Sequence, residues 1–232
     1  MENIITLFHG SGSIIEKPEF GKGNPRNDYG LGFYCTENME LAKEWACNDR
    51  AGGYANTYLM DISSLSVINL SGGEYDILNW LAVLANNRTF SINSPIAAEA
   101  KEYLTTWFLP DLGAADAIEG YRADDSYFAF AMDFLNNTIS IRQLGRAMSL
   151  GSPGKQFALK SQRSFESIRF VASEEAPGEV YFSKRQRRDL DAREEYLKNE
   201  RDAARVIDDI YMIDILREGM RQEDARLQRD IP

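Results

Sequence analysis

The sequence predicts an α+β fold followed by a charged helical extension. Short apolar runs with the length and residue content of buried strands alternate with longer segments whose apolar residues recur at helical spacing. From Lys184 onward, charged residues of both signs dominate, which is typical of solvated helices. We therefore expect a domain over residues 1–183 and a C-terminal helical extension over residues 184–232.

The first predicted element is a short buried strand over residues 4–8. Residues 16–30 are rich in Gly, Pro, Asn and Asp and are expected to form a loop. A second strand is predicted over residues 32–36. Thr36 is expected to cap the helix that follows, and Trp45 lies on the apolar stripe of that helix.

The later elements follow from the same patterns. Strands are predicted at 56–61, 66–70, 116–121, 156–160 and 168–171. Helices are predicted at 74–88, 95–108, 126–136 and 140–148, with a turn or short helix at 164–167. In the extension, a narrow apolar stripe predicts one or two long helices that either pack back on the domain or dock a partner. Its residues are Val206, Ile210, Ile213 and Leu216.

Composition excludes several classes of protein. The 232 residues carry 26 Lys and Arg against 36 Asp and Glu, and this net charge of −10 argues against nucleic-acid binding over the whole surface. Residues 184–188 form the one basic cluster. Two cysteines and one histidine match neither a disulfide framework nor a zinc pattern, so we expect no metal. The absence of a signal-peptide pattern and of a membrane-length apolar run predicts a cytoplasmic protein.

Two short motifs concentrate the chemical information. The first is Leu7-Phe8-His9-Gly10-Ser11, at the end of the first predicted strand, and the second is Gly30-Leu31-Gly32-Phe33-Tyr34. Read as strand ends, they bring a hydrogen-bonding ring and a stacking ring to the mouth of a sheet. That pair suits a ligand that has ribose hydroxyls and a flat base.

These motifs resemble the first and second motifs of the ADP-ribosyltransferase superfamily, in the branch (poly-ADP-ribose polymerases and diphtheria-like toxins) built on a His-Tyr-Glu triad. The stretch up to about residue 47 is similar to an uncharacterised bacterial family placed in that superfamily. The resemblance is strong over residues 4–47, fair over 115–172 and absent beyond about 184. It implies an ADP-ribosyltransferase-like fold, in which two mainly antiparallel sheets pack around a cleft with helices outside.

The resemblance also implies roles for individual residues. His9 would bind a ribose hydroxyl, the backbone of Gly10 would anchor the nicotinamide amide, and Tyr34 and Trp45 would sandwich the nicotinamide ring. The implied catalytic residues are His9, Tyr34 and Gln156. The implied NAD contacts are His9, Gly10, Ser11, Tyr34 and Trp45.

Gln156 departs from the family pattern, which has glutamate at this position. A glutamine can hydrogen-bond a ribose 2′-hydroxyl, but it cannot stabilise an oxocarbenium ion as a carboxylate does, nor act as a general base. A nearby carboxylate could compensate for the missing charge. The candidates are Glu119, Asp124, Asp125, Glu166 and Glu179.

The resemblance therefore implies an NAD-dependent mono-ADP-ribosyltransferase that acts as a bacterial toxin or phage-defence effector. NAD would be the co-substrate, and the acceptor would be a protein or a nucleic acid, with the acidic composition leaning toward a protein. Two alternatives stay open: an NAD or ADP-ribose binding module or sensor with weak catalysis, and an NAD glycohydrolase. Residues 184–229 are a candidate surface for an antitoxin or another protein partner.

Overall fold

A computed structural model describes residues 3–89, 94–201 and 208–230 and confirms the α+β class, with two mostly antiparallel sheets flanked by helices. The strands are β1 (Ile4–Ser11), β2 (Phe33–Cys35), β3 (Gly53–Asp61), β4 (Val67–Asn69), β5 (Ala117–Tyr121), β6 (Lys155–Leu159) and β7 (Ile168–Ala176). The helices are α1 (Met39–Ala46), α2 (Ile77–Asn87), α3 (Pro95–Trp107), α4 (Asp125–Leu135), α5 (Ile141–Ala147), α6 (Gln162–Glu166), α7 (Gly178–Tyr196), α8 (Met212–Glu218) and α9 (Ala225–Asp230), with a π-helical turn over Leu197–Arg201 after α7.

The two sheets meet along β1 and β2. One sheet has the strand order β1-β3-β7 and the other β2-β6-β5-β4, and the β4–β5 pair is parallel whereas the other named pairs are antiparallel. Phe8 and Thr36 exchange both backbone hydrogen bonds and so link β1 to the end of β2. A small core draws buried side chains from both sheets. They are Leu7, Cys35, Met60, Ala117, Phe157 and Leu159.

The larger core lies between the four-stranded sheet and helices α2 to α5. Helix α2 is buried from Ile77 to Ala85, and Asp76 caps it by accepting bonds from the backbone N–H groups of Leu78 and Asn79. Trp80 has no exposed surface, and its Nε1 donates to the carbonyl of Tyr121 at 3.1 Å. This core therefore holds the end of β5, where Tyr121 lies, against the helical layer.

The predicted cap of α1 is wrong by two residues. Asn38 is the N-cap, and its side chain accepts from the backbone N–H groups of Glu40 and Leu41. Thr36 instead pairs with Phe8, and its hydroxyl accepts from the N–H of Asn38. The N–H and C=O groups of Thr36 are bonded to Phe8, so the helix begins only after the chain has left β2.

The described part of the extension packs against the rest of the fold. Helix α7 starts at Gly178, ahead of the compositional change, and contacts α1 and α4. Tyr196 stacks on Phe130 with ring centroids 4.0 Å apart, and its hydroxyl donates to Asp133 at 2.6 Å. Within the described ranges, no helix has both the length and the hydropathy needed to cross a membrane.

The predicted apolar stripe of the extension has the wrong register. Val206 lies outside the described residues, and Ile210 precedes α8, which begins only at Met212. Met212 and Ile215 are the buried residues of α8, whereas Ile213 and Leu216 are half-buried. A continuous helical period therefore does not run through this segment.

Candidate active site

His9 lies near the end of β1, and two residues of β2 fix the orientation of its ring. Its Nδ1–H donates to the carbonyl of Tyr34 at 2.6 Å, and its ring stacks on Phe33 with centroids 4.2 Å apart. Because a carbonyl only accepts, the proton is on Nδ1 and the neutral ring presents Nε2 as an acceptor. The ring lines a cavity of about 460 Å³ beneath the loop of residues 15–23. The geometry therefore leaves one ring nitrogen for a hydroxyl donor.

Burial lowers the pKa of His9, while the bond to the Tyr34 carbonyl opposes that shift. The folded protein therefore binds this proton less readily than the unfolded chain, whose histidine has a pKa of about 6.5. Because the unfolded state takes up more protons in this window, stability falls as the pH drops through about 6.5 toward the lower folded value.

We expect the temperature of the unfolding midpoint to decrease as the pH is lowered from about 7.5 to about 5.5, the range around the ordinary histidine pKa. His9 is the single histidine of the chain, so His9→Gln removes this contribution entirely. Thermal unfolding of both proteins over this range tests the expectation. Equal pH slopes for the two proteins would contradict it.

Tyr34 and Asn27 line both this cavity and a second one of about 380 Å³. The Tyr34 hydroxyl donates to the carbonyl of Gly30 at 2.6 Å and accepts from the N–H of Tyr29 at 3.0 Å. The ring is therefore fixed by the turn that precedes β2, in which Gly30 has a φ of 75°. The second cavity is lined by Asn27, Asp28, Tyr34, Trp45, Asn48, Arg88, Arg122, Ala123, Asp124 and Gln156.

Gly10 sits where β1 crosses α1 closely. A Cβ atom on Gly10 would lie 1.9 Å from the carbonyl oxygen of Ala42 and 2.9 Å from the Cβ of Trp45. The N–H and C=O groups of Phe8 point toward Thr36 and away from β3. In an antiparallel strand, the backbone groups of every second residue point to the same side, so those of Gly10 also point away from β3. The glycine is thus required by packing, and its backbone faces away from β3.

Ser11 belongs to the scaffold of the loop that follows β1. Its hydroxyl donates to the carbonyl of Ser13 at 2.5 Å and accepts from Asn56 at 3.1 Å. Asn56 is fully buried, also donates to the carbonyl of His9 at 3.2 Å, and accepts from the N–H of Ile15 at 3.0 Å. Sequence reasoning placed Asn56 only in a strand. The signal in the sequence was that Asn56 is the one amide in this strand, among mostly apolar residues, threonine and tyrosines.

The face of Trp45 is covered by a cation. The guanidinium carbon of Arg122 lies 4.3 Å from the centre of the Trp45 ring, and Arg122 Nη2 lies 2.9 Å from Asp124 Oδ2. Burial lowers the pKa of Arg122 to about 10, so it stays charged at neutral pH. Trp45 Nε1, Arg122 Nη1 and Asp124 Oδ1 are buried without a hydrogen-bond partner among the described residues. Three orphaned polar atoms at one cavity are a cost that a bound ligand would relieve.

Gln156 lies on the same cavity and donates to two acceptors. Its Nε2 lies 2.5 Å from Asp28 Oδ2 and 3.1 Å from the carbonyl of Tyr121. Of the predicted compensating acids, Asp124 lines this cavity. Glu119 pairs with Lys155 at 2.9 Å and lines a third cavity, which Gln156 also lines.

Glu166 and Glu179 are not among the described residues that line the two cavities next to Tyr34. Glu166 on α6 and Glu179 on α7 are exposed, and the side chain of Asp125 lies outside the described part of the structure. Asp28 was missed because a lone acid in a loop rich in Gly and Asn resembles an ordinary turn residue.

The basic run at residues 184–188 partly faces this region. Arg185 and Arg188 line an adjoining cavity of about 320 Å³ that shares Asn48 and Asp124 with the second cavity. Arg188 also pairs with Glu44 at 2.8 Å. Arg88 and Arg122 line the second cavity, where Arg88 pairs with Asp28 and Arg122 pairs with Asp124.

Comparison with known proteins assigns a family without a function. The family model described as "Protein of unknown function (DUF3990)" matches residues 5–170, and the chain belongs to this family. No curated protein and no solved structure matches the chain.

Proposed function

We propose that this protein is an NAD-dependent mono-ADP-ribosyltransferase that cleaves the nicotinamide–ribose bond and transfers ADP-ribose to a macromolecular acceptor. The observation that supports it best is the arrangement around Tyr34. His9 Nε2 has no hydrogen-bond partner among the described residues and lines one cavity with Tyr34, while Trp45 and Gln156 line the other cavity with Tyr34. Four residues named from the motif resemblance therefore line adjoining cavities. The two mostly antiparallel sheets are compatible with the ADP-ribosyltransferase-like fold that the proposal includes.

The proposed roles are those that the motif resemblance implies, and Gly10 and Ser11 are not among the described residues that line the two cavities. His9 Nε2 accepts a hydrogen bond from a ribose hydroxyl, and the outward backbone of Gly10 bonds the nicotinamide amide. The faces of Tyr34 and Trp45 hold the nicotinamide ring. The nicotinamide of NAD is cationic, as is the Arg122 group that now covers Trp45, so the same aromatic face serves both.

The charges around the second cavity also suit NAD. Arg122 Nη1 and Trp45 Nε1 are buried donors without partners among the described residues, and Arg88, Arg185 and Arg188 lie nearby. A diphosphate accepts hydrogen bonds from such donors. Ser11 contributes through the loop that it stabilises.

The acceptor in this proposal is a protein or a nucleic acid, and the role is that of a cytoplasmic toxin or phage-defence effector. An antitoxin or another protein partner would bind along residues 184–229. Leu190 and Leu197, seven residues apart, are 57% and 39% exposed and offer apolar contacts for such a partner.

A binding module for NAD or ADP-ribose is the second candidate, and two observations favour it. The Gln156 amide is engaged by protein acceptors, and the face of Trp45 is occupied by Arg122. The third candidate function is that of an NAD glycohydrolase, in which water is the acceptor.

Nicotinamide release from NAD by the purified protein, with and without cell extract as a source of acceptors, separates these functions. We expect release that increases with extract and label from NAD that becomes attached to a macromolecule. Release that is independent of extract and labels nothing would identify a glycohydrolase. Binding without release under either condition would identify a sensor.

A further inference from the structure

The surroundings of Gln156 explain why this position holds an amide. Its side chain is 5% exposed, and Nε2 donates to a carboxylate oxygen of Asp28 and to the carbonyl of Tyr121. The Tyr121 carbonyl also accepts from Tyr29 and Trp80. A glutamate here would place a charged acceptor against two acceptors, which is unfavourable in a buried site. The site therefore requires a donor at residue 156.

The donor holds a carboxylate at the same place. Asp28 is 4% exposed, and its Oδ2 accepts from the N–H of Ala123 at 3.0 Å as well as from Gln156. Its Oδ1 lies 2.7 Å from Arg88 Nε, but this ion pair lacks the alignment of a hydrogen bond. Asp28 lines the cavity together with Tyr34 and Trp45. The cavity thus contains a buried carboxyl group, contributed by the loop before β2 rather than by β6.

We infer that Asp28 is the carboxylate of this site and that Gln156 is a positioning residue that orients it. The inference rests on the proposed function. When the C–N bond to nicotinamide breaks, its electron pair leaves with nicotinamide and the ribose carbon becomes positive. The Asp28 carboxylate stabilises that charge until an oxygen or nitrogen of the acceptor bonds the carbon and releases its proton. The chemistry needs no redox partner.

Exchanging the charge between the two positions tests this inference. Asp28→Asn is expected to lower kcat for nicotinamide release by about 10²–10³-fold, the usual effect of removing one electrostatic stabiliser of a transition state. NAD affinity should change far less. The double variant Asp28→Asn/Gln156→Glu again has one carboxylate and one amide, with their positions exchanged. Its kcat for nicotinamide release should be at least about tenfold higher than that of Asp28→Asn.

Gln156→Glu alone supplies a readout that a purely structural role would not move. Two carboxylates in contact share a proton, and their second ionisation shifts to higher pH. Release by Gln156→Glu should therefore fall as the pH rises, whereas no such fall is expected of wild type. Glu166→Gln, which removes an exposed carboxylate on α6, is the matched control and should behave as wild type.

The outcomes separate the inference from the proposed function. Wild-type release with undiminished release by Asp28→Asn overturns the inference alone, and so does a folded double variant no more active than Asp28→Asn. NAD binding without release by wild type overturns the catalytic role of Asp28 and leaves the sensor reading. If wild type does not bind NAD at all, both proposals fail. If Asp28→Asn does not fold, the double variant and the pH profile of Gln156→Glu decide.

Discussion

Gly10→Ala is expected to destabilise the protein by about 3 kcal/mol or more, at or beyond the usual upper end for overpacking. The added Cβ would lie 1.9 Å from the carbonyl oxygen of Ala42 and 2.7 Å from the backbone nitrogen of Ala46. These are backbone atoms of α1, so no rotamer change relieves the clash and the strand must move from the helix. Urea unfolding followed by circular dichroism measures the loss as a lower midpoint.

Gly12→Ala is the matched control for Gly10→Ala. It lies two residues further along the chain, and a Cβ there meets no atom within 4 Å. Its effect is expected to stay within about 0.5 kcal/mol, as for ordinary surface substitutions. Equal midpoints for the two variants would show that β1 does not cross α1 as closely as described.

Trp80→Ala is expected to cost about 3–5 kcal/mol, the range for removing a large aromatic side chain from a core. Trp80 has no exposed surface and packs edge-on against Tyr121 with ring centroids 5.5 Å apart. Its loss also removes one of the donors that hold the Tyr121 carbonyl, which in turn accepts from Gln156. The same unfolding experiment measures the effect.

Trp107→Ala provides the comparison for Trp80→Ala. Trp107 is 51% exposed, and its main described contact is the guanidinium of Arg221, 3.7 Å above the ring. An exposed cation–π contact contributes about 0.5–1 kcal/mol. A Trp107→Ala loss as large as that of Trp80→Ala would contradict the assignment of the core.

The elements that sequence predicts well are those with strong local signals. The apolar runs of β1, β5 and β6 and the helical periods of α2 and α3 all lie close to their predicted positions. The cap of α1 was misplaced because Thr36 and Asn38 are both good caps, and only the pairing of Thr36 with Phe8 decides between them. The register of the extension failed because α8 begins only at Met212.

The candidate site shows the same division between local and long-range information. His9, Tyr34 and Trp45 belong to one stretch of chain, so their motif could be read directly from the sequence. Asp28 meets Gln156 across 128 positions, and no periodicity reports such a contact. Arg122 reaches Trp45 in the same way, from the end of β5 to α1. The sequence shows a glutamine at position 156, but it does not show that this side chain donates to Asp28 and to the Tyr121 carbonyl.

Equilibrium binding of NAD, measured by calorimetry on the purified wild type, His9→Ala, Tyr34→Ala and the control Glu166→Gln, tests the central claim most directly. We expect wild type and Glu166→Gln to bind one NAD per chain. His9→Ala is expected to bind about 10–100-fold more weakly, because a lost hydrogen bond in a buried site costs about 1–3 kcal/mol. Tyr34→Ala should lose at least as much, since it removes the wall that the two cavities share. No binding by wild type, or equal binding by all four proteins, would contradict the assignment of this cleft to NAD.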